Sequence, residues 1–120
     1  MLTVLFWNMG GLDRANLCAR LAHRHAATVV VLAECHRPGA VLGALNPPGQ
    51  PVRYNLLPNP SSPGRANEAR VQVFSHLQST EWVRLSAERH FAIHALARIG
   101  APELLLCSAH LPSLLHALER

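Results

Sequence analysis

Apolar positions along this chain gather in short runs separated by glycine, proline and polar residues. Residues 2–8 (LTVLFWN) form such a run, with β-branched and aromatic members, and predict a strand that Gly10 and Gly11 end. After Asp13 the pattern changes. Leu17, Leu21 and the alanines of ANLCARLAHRHA recur at helical spacing, with Asp13 expected as an N-cap or first-turn acid. Residues 28–34 (TVVVLAE) are apolar almost without interruption, as in a parallel strand covered on both faces. Strand, helix and strand in the first 34 residues make one βαβ unit.

Further on, AVLGALN (40–46) reads as a short helix and VRYNLLP (52–58) as a third strand. Residues 58–67 (PNPSSPGRAN) carry prolines and glycine and read as an exposed loop. RVQVFSH (70–76) alternates as a strand does. HFAIHALARI (90–99) and ELLLCSAH (103–110) flank Gly100-Ala101-Pro102 and predict an antiparallel hairpin. Pro112 opens a last helical segment, SLLHALER. The predicted class is α/β, a mixed β-sheet with flanking helices, in a single domain over 1–120.

Composition narrows the class. The chain is 49% hydrophobic and 15% charged, with mean hydropathy +0.12, which excludes disorder as its main state. No apolar run approaches the roughly 18 residues of a membrane span, and MLTVLFWN lacks the cationic start and long apolar centre of a secretion signal. The expectation is a soluble, cytoplasmic protein. Cys18, Cys35 and Cys107 are odd in number and widely spaced, so no CxxC metal or redox pair exists and free thiols are expected. All 11 basic residues are arginine, against 7 acidic ones, for a net charge of +4. Arginine suits phosphate, but the scatter of these residues favours a compositional origin over a polyanion site.

The candidate chemistry lies at strand ends, where α/β sheets place their sites. The first strand ends in Asn8 and the second in Glu34. If the two strands run parallel, both residues leave the sheet at one edge, roughly 5 Å apart on neighbouring strands. The last strand ends in His110. Each residue also has an ordinary reading: Asn8 as turn chemistry before Met9-Gly10-Gly11, Glu34 as a solvated carboxylate, His110 as a packed or solvated imidazole. Their conjunction at the ends of three apolar strands suggests a phosphoryl-transfer site. His23 and His25 point to different helix faces and cannot chelate together. His90 and His94 would share a strand face, more in keeping with a wet sheet surface than with a metal. Arg65, Arg70 and Arg89 could face a phosphodiester backbone, against the stronger reading of solvated surface arginines. No phosphate-binding glycine loop or nucleophile elbow occurs.

VLFWNMGG, VVVLAE and LLLCSAHLPS, in that order, resemble the endonuclease/exonuclease/phosphatase family of deoxyribonuclease-like, metal-dependent phosphoesterases. The resemblance implies a phosphoric-ester hydrolase using Mg²⁺, or Mn²⁺ in its place, on a phosphate-ester substrate, nucleic acid among the candidates. It implies that Asn8 lies beside metal and scissile phosphate, that Glu34 is the acidic metal ligand, and that His110 contacts the phosphate. Glu68, just ahead of RVQVFSH, corresponds to a carboxylate that orients the histidine. The family completes its site with a Gly-Asp-x-Asn motif and a C-terminal Asp-His pair, and neither occurs here: Asp13 is the only aspartate. The chain therefore resembles the N-terminal half of a four-layer α/β/β/α sandwich. Such a half is expected to be inactive without its C-terminal half or a complementing chain. The alternative is a non-catalytic relative acting as a binding or regulatory module.

Overall fold

A computed structural model of the chain describes residues 2–57, 71–77, 82–87, 91–96 and 104–109. In chain order these hold β1 (Val4–Asn8), α1 (Ala15–Arg24), β2 (Val29–Ala33), α2 (Pro38–Leu45), β3 (Asn55–Leu56), β4 (Val71–Ser75), β5 (Trp82–Ala87), β6 (Phe91–Leu96) and β7 (Leu104–Ala109). The predicted α/β class with a mixed sheet is the observed one. The first sheet has the order β1-β2-β4-β3, with β1 parallel to β2 and the other pairs antiparallel. The second sheet, β5-β6-β7, is an antiparallel meander.

The alternation of β2 decides the layering. Its five residues are all buried, and successive side chains serve different cores. Val30 and Leu32 join Phe74, Cys18, Ala22, Val41 and Leu45 beneath the helices. Val29 and Val31 join Val71, Val73 and Leu57, and meet Leu96 and Leu106 of the second sheet. The first sheet therefore lies between two helices and a second sheet. β1 is its edge strand, and only one of that strand's faces is covered. Leu5 and Trp7 pack against the helix-side core. Val4 and Phe6, in register with Val29 and Val31, remain 44% and 56% exposed.

Several expectations shift for local reasons. Asp13 is neither N-cap nor first-turn acid: Arg14 holds the cap position, without a side-chain bond. Asp13 precedes the cap, and its carboxylate instead accepts from Arg37 Nη1 at 2.9 Å. α2 begins at Pro38, before the expected residue 40, because proline's fixed φ and missing N–H suit the first helical turn. β3 is confined to two residues of the expected 52–58. Asn46 occupies both main-chain groups of Tyr54, donating from Nδ2 to its carbonyl at 2.8 Å and accepting its N–H on Oδ1 at 2.7 Å. That clamp takes the Tyr54 N–H out of the ladder. β5 was not anticipated. Among the described residues no helix is long and apolar enough to cross a membrane. The predicted loop 58–67, the last helix from Pro112, His90 and the arginines 65, 70 and 89 lie outside the described residues.

Candidate functional site

β1 and β2 run side by side and in parallel, with Asn8 paired to Ala33, so Asn8 and Glu34 leave the sheet at the same edge. This is the juxtaposition expected from the sequence. The chain beyond β1 folds over the end of β2. Met9 N–H donates to the Ala33 carbonyl at 2.9 Å, and Gly11 N–H to the Glu34 carbonyl at 3.0 Å. That path requires positive φ at Gly10 and Gly11, 61° and 75°, which glycine adopts without strain. An added Cβ at Gly11 would also come 3.0 Å from Nε2 of His36.

Asn8 is exposed, and its Oδ1 accepts the N–H of Gly10 at 2.9 Å. The turn chemistry open to this residue is thus realised, and it orients the amide oxygen, which has lone-pair capacity for a second contact. Glu34 is half-buried, and its φ is +53°, a left-handed conformation uncommon outside glycine. This twist turns the chain out of β2. Such backbone strain collects at functional sites, because the surroundings must hold it in place.

The same edge brings in residues that the sequence analysis did not single out. Cys35, His36 and Arg37 follow Glu34 directly, and with Met9, Gly11 and Asp13 they border a small cavity of about 50 Å³. The Arg37–Asp13 ion pair lies at its mouth with both side chains more than half exposed, so it contributes at most about 1 kcal/mol. The sequence signal was a run of polar residues straight after an apolar strand. Cys35 itself is buried. Its thiol pKa is pushed up first by burial, opposed by the Arg37 N–H, and raised a little further by the Asp13 charge.

Glu68 and His110 lie outside the described residues. β4 begins at Val71 opposite Ala33, so the strand that Glu68 precedes starts at the Glu34 edge. Among the described residues no group of three His, Cys, Asp or Glu side chains could hold a metal ion. The donors at the edge are the Glu34 carboxylate and the Asn8 amide, since the Asp13 carboxylate is engaged by Arg37. Hard oxygen donors with a single carboxylate match the needs of Mg²⁺, which keeps several of its waters and takes one or two protein carboxylates.

This architecture is an α/β fold with a mixed sheet, and it has a counterpart among solved structures. The structure superposes on the endonuclease domain of TRAS1, a telomere-specific non-LTR retrotransposon, with a TM-score of 0.62 and 14% sequence identity. The match covers 98% of this chain and 51% of that one, so the chain spans about half the length of the solved domain it resembles. No protein-family model matches the sequence, and neither does any curated protein.

Proposed function

We propose that the protein is a Mg²⁺-dependent phosphoesterase of nuclease type, with Mn²⁺ able to replace Mg²⁺, acting on a phosphodiester of nucleic acid. The observation that carries this reading is the shared edge at which parallel β1 and β2 end in Asn8 and Glu34. The likeness of the fold to a domain named as an endonuclease supports it. Glu34, with Asn8 beside it, would hold the ion, which when bound supplies charge neutralisation at the phosphoryl oxygens. The Asn8 amide, fixed by the Gly10 N–H, orients the phosphate between the two strand ends. His110 donates to a phosphate oxygen or the leaving group, and Glu68 orients it.

The base that activates water comes from a complementing half, in the same polypeptide or a second one. The uncovered Val4–Phe6 face of β1 and the half-length match both favour that assignment. We place the protein in the cytoplasm, where the thiols of Cys18, Cys35 and Cys107 stay reduced.

Two measurements test this reading. Titration of the 120-residue chain with Mn²⁺, followed by NMR, should broaden the amides of Asn8, Gly10, Gly11 and Glu34 first, and Glu34→Gln should remove the effect. With Mg²⁺ and plasmid DNA the chain alone should show no turnover, because base catalysis contributes about 10² to 10⁴ in rate. Robust cleavage by the isolated chain would mean that the base lies within it. Broadening that persists in Glu34→Gln would overturn the metal assignment.

A further inference from the structure

A second cavity, of about 200 Å³, is lined by His23, Ala26, Gln50, Val52, Tyr54 and His76. It lies at the other end of the sheet. Ser75, just before His76, pairs with Val29 at the start of β2, whereas Val71 pairs with Ala33 at its finish. Five residues at about 3.3 Å each put roughly 16 Å between this end and the Asn8–Glu34 edge. The cavity is therefore separate from the site described above.

Its walls are held in place by bonds that do not involve the cavity itself. The Tyr54 hydroxyl donates to the Ala27 carbonyl at 2.6 Å, and Asn46 clamps the Tyr54 main chain. His23 Nε2 donates to the Leu45 carbonyl at 2.9 Å, which leaves Nδ1 of the neutral ring as an acceptor. The His76 ring meets Tyr54 edge-on, with centroids 5.5 Å apart, and His23 lies tilted at 6.1 Å on the same tyrosine. Three rings, from the end of α1, the segment before β3 and the residue after β4, thus border one space. Tyr54 belongs to the helix-side core, and the two imidazoles flank it at the rim of the cavity. Among the described residues neither the Gln50 amide nor the His76 ring has a hydrogen-bond partner, and no carboxylate lines the cavity.

We propose that this cavity binds one nucleobase of pyrimidine size. The imidazoles of His23 and His76 are stacking platforms for a planar heterocycle, beside a Tyr54 that is itself buried. The Gln50 amide offers a donor and an acceptor together, as the edge of a base requires, and His23 Nδ1 adds a second acceptor. The volume falls below the roughly 300–1,000 Å³ of pockets for drug-sized ligands, so one ring enters and a stacked pair does not. The base comes from a free nucleoside or from the splayed end of a single strand. This inference stands apart from the metal chemistry, since it needs neither Mg²⁺ nor Glu34.

The test is an NMR titration of the full chain, without metal, using uridine, a thymidine tetranucleotide, ribose and inorganic phosphate separately. Uridine should give saturable shifts of the His23 and His76 ring protons, and nuclear Overhauser contacts from its ring protons to His76 and Tyr54. Binding should weaken at least tenfold in His76→Ala and remain unchanged in His36→Ala and Glu34→Gln. The contacts in the wild-type chain decide the matter even if a variant fails to fold. Equal occupancy by uridine and tetranucleotide marks the base alone as the ligand, and binding of the tetranucleotide only marks a strand end. Shifts reproduced by ribose or phosphate, contacts to Gly11 or His36 instead, or no binding by either base-containing probe would each overturn the proposal.

Discussion

Glu34 combines the carboxylate of the proposed site with a left-handed backbone at φ +53°. For a residue with a Cβ that conformation costs roughly 1–2 kcal/mol, which glycine escapes. Glu34→Gly should therefore unfold at the same or a higher urea concentration than the wild type, with a gain of up to about 1 kcal/mol after glycine's larger unfolded-state entropy is counted. It should at the same time lose the Mn²⁺-induced broadening at Asn8. A loss of stability above about 1 kcal/mol in urea titrations would show that the Glu34 side chain holds the turn, and that the strain serves no site. At this scale the sequence showed the residue and its strand end, but not its conformation. The twist arises where the Gly11 N–H reaches across to the Glu34 carbonyl, a contact between segments far apart in the chain.

Among the elements, α1 and the end of β2 bury two thiols in one core. Cys18 has its pKa pushed from the ordinary 9.0 up to about 11, first by burial and then by Cys35 nearby. Burial also raises Cys35 and Tyr54. A raised acid pKa means that the folded state keeps its proton while the unfolded chain ionises. The stability these groups contribute is complete below about pH 9 and is lost as pH rises toward about 11. Urea midpoints measured from pH 8 to 11 should fall across that window, and Cys18→Ala should flatten the decline. In the native protein at pH 8, an aromatic disulfide reagent should modify exposed Cys107 quickly. Cys18 and Cys35 should react only on unfolding. A flat midpoint curve would mean that both thiols are already solvated in the folded chain.

Among the described residues the exposed large hydrophobics are Val4 and Phe6 on β1, with Leu12, Leu17, Val52 and Leu105 elsewhere. Val4 and Phe6 lie on an edge strand with no charge, proline or bulge to discourage pairing. Phe6→Lys should therefore cost less than about 0.5 kcal/mol in urea unfolding, because little area is buried there. It should nonetheless reduce binding of a hydrophobic dye and light scattering at high concentration. Unchanged dye binding would show that this face is not the sticky one, and would remove the main structural reason for expecting a complementing half.

The sequence by itself determined the elements whose signal is local. The unbroken apolar run of β2 announced a strand covered on both faces, and the 3.6-residue recurrence after Asp13 announced α1. The residues that interrupt those strands, Asn8 and Glu34, were legible as site candidates because parallel pairing of β1 and β2 follows from a βαβ order. β5 was missed because Arg84 and Ser86 divide Val83, Leu85 and Ala87. That alternation fits a strand, but the polar residues hide it from a search for apolar runs. Only the tertiary structure decided the rest: the insertion of β4 between β2 and β3, the Asp13–Arg37 pair, and the meeting of His23, Tyr54 and His76 around one cavity. The physical reason is the same in each case. Periodicity and turn chemistry act between neighbours in the chain, whereas these arrangements come from burying side chains and pairing backbone groups across dozens of residues, as when the Tyr54 hydroxyl reaches the Ala27 carbonyl.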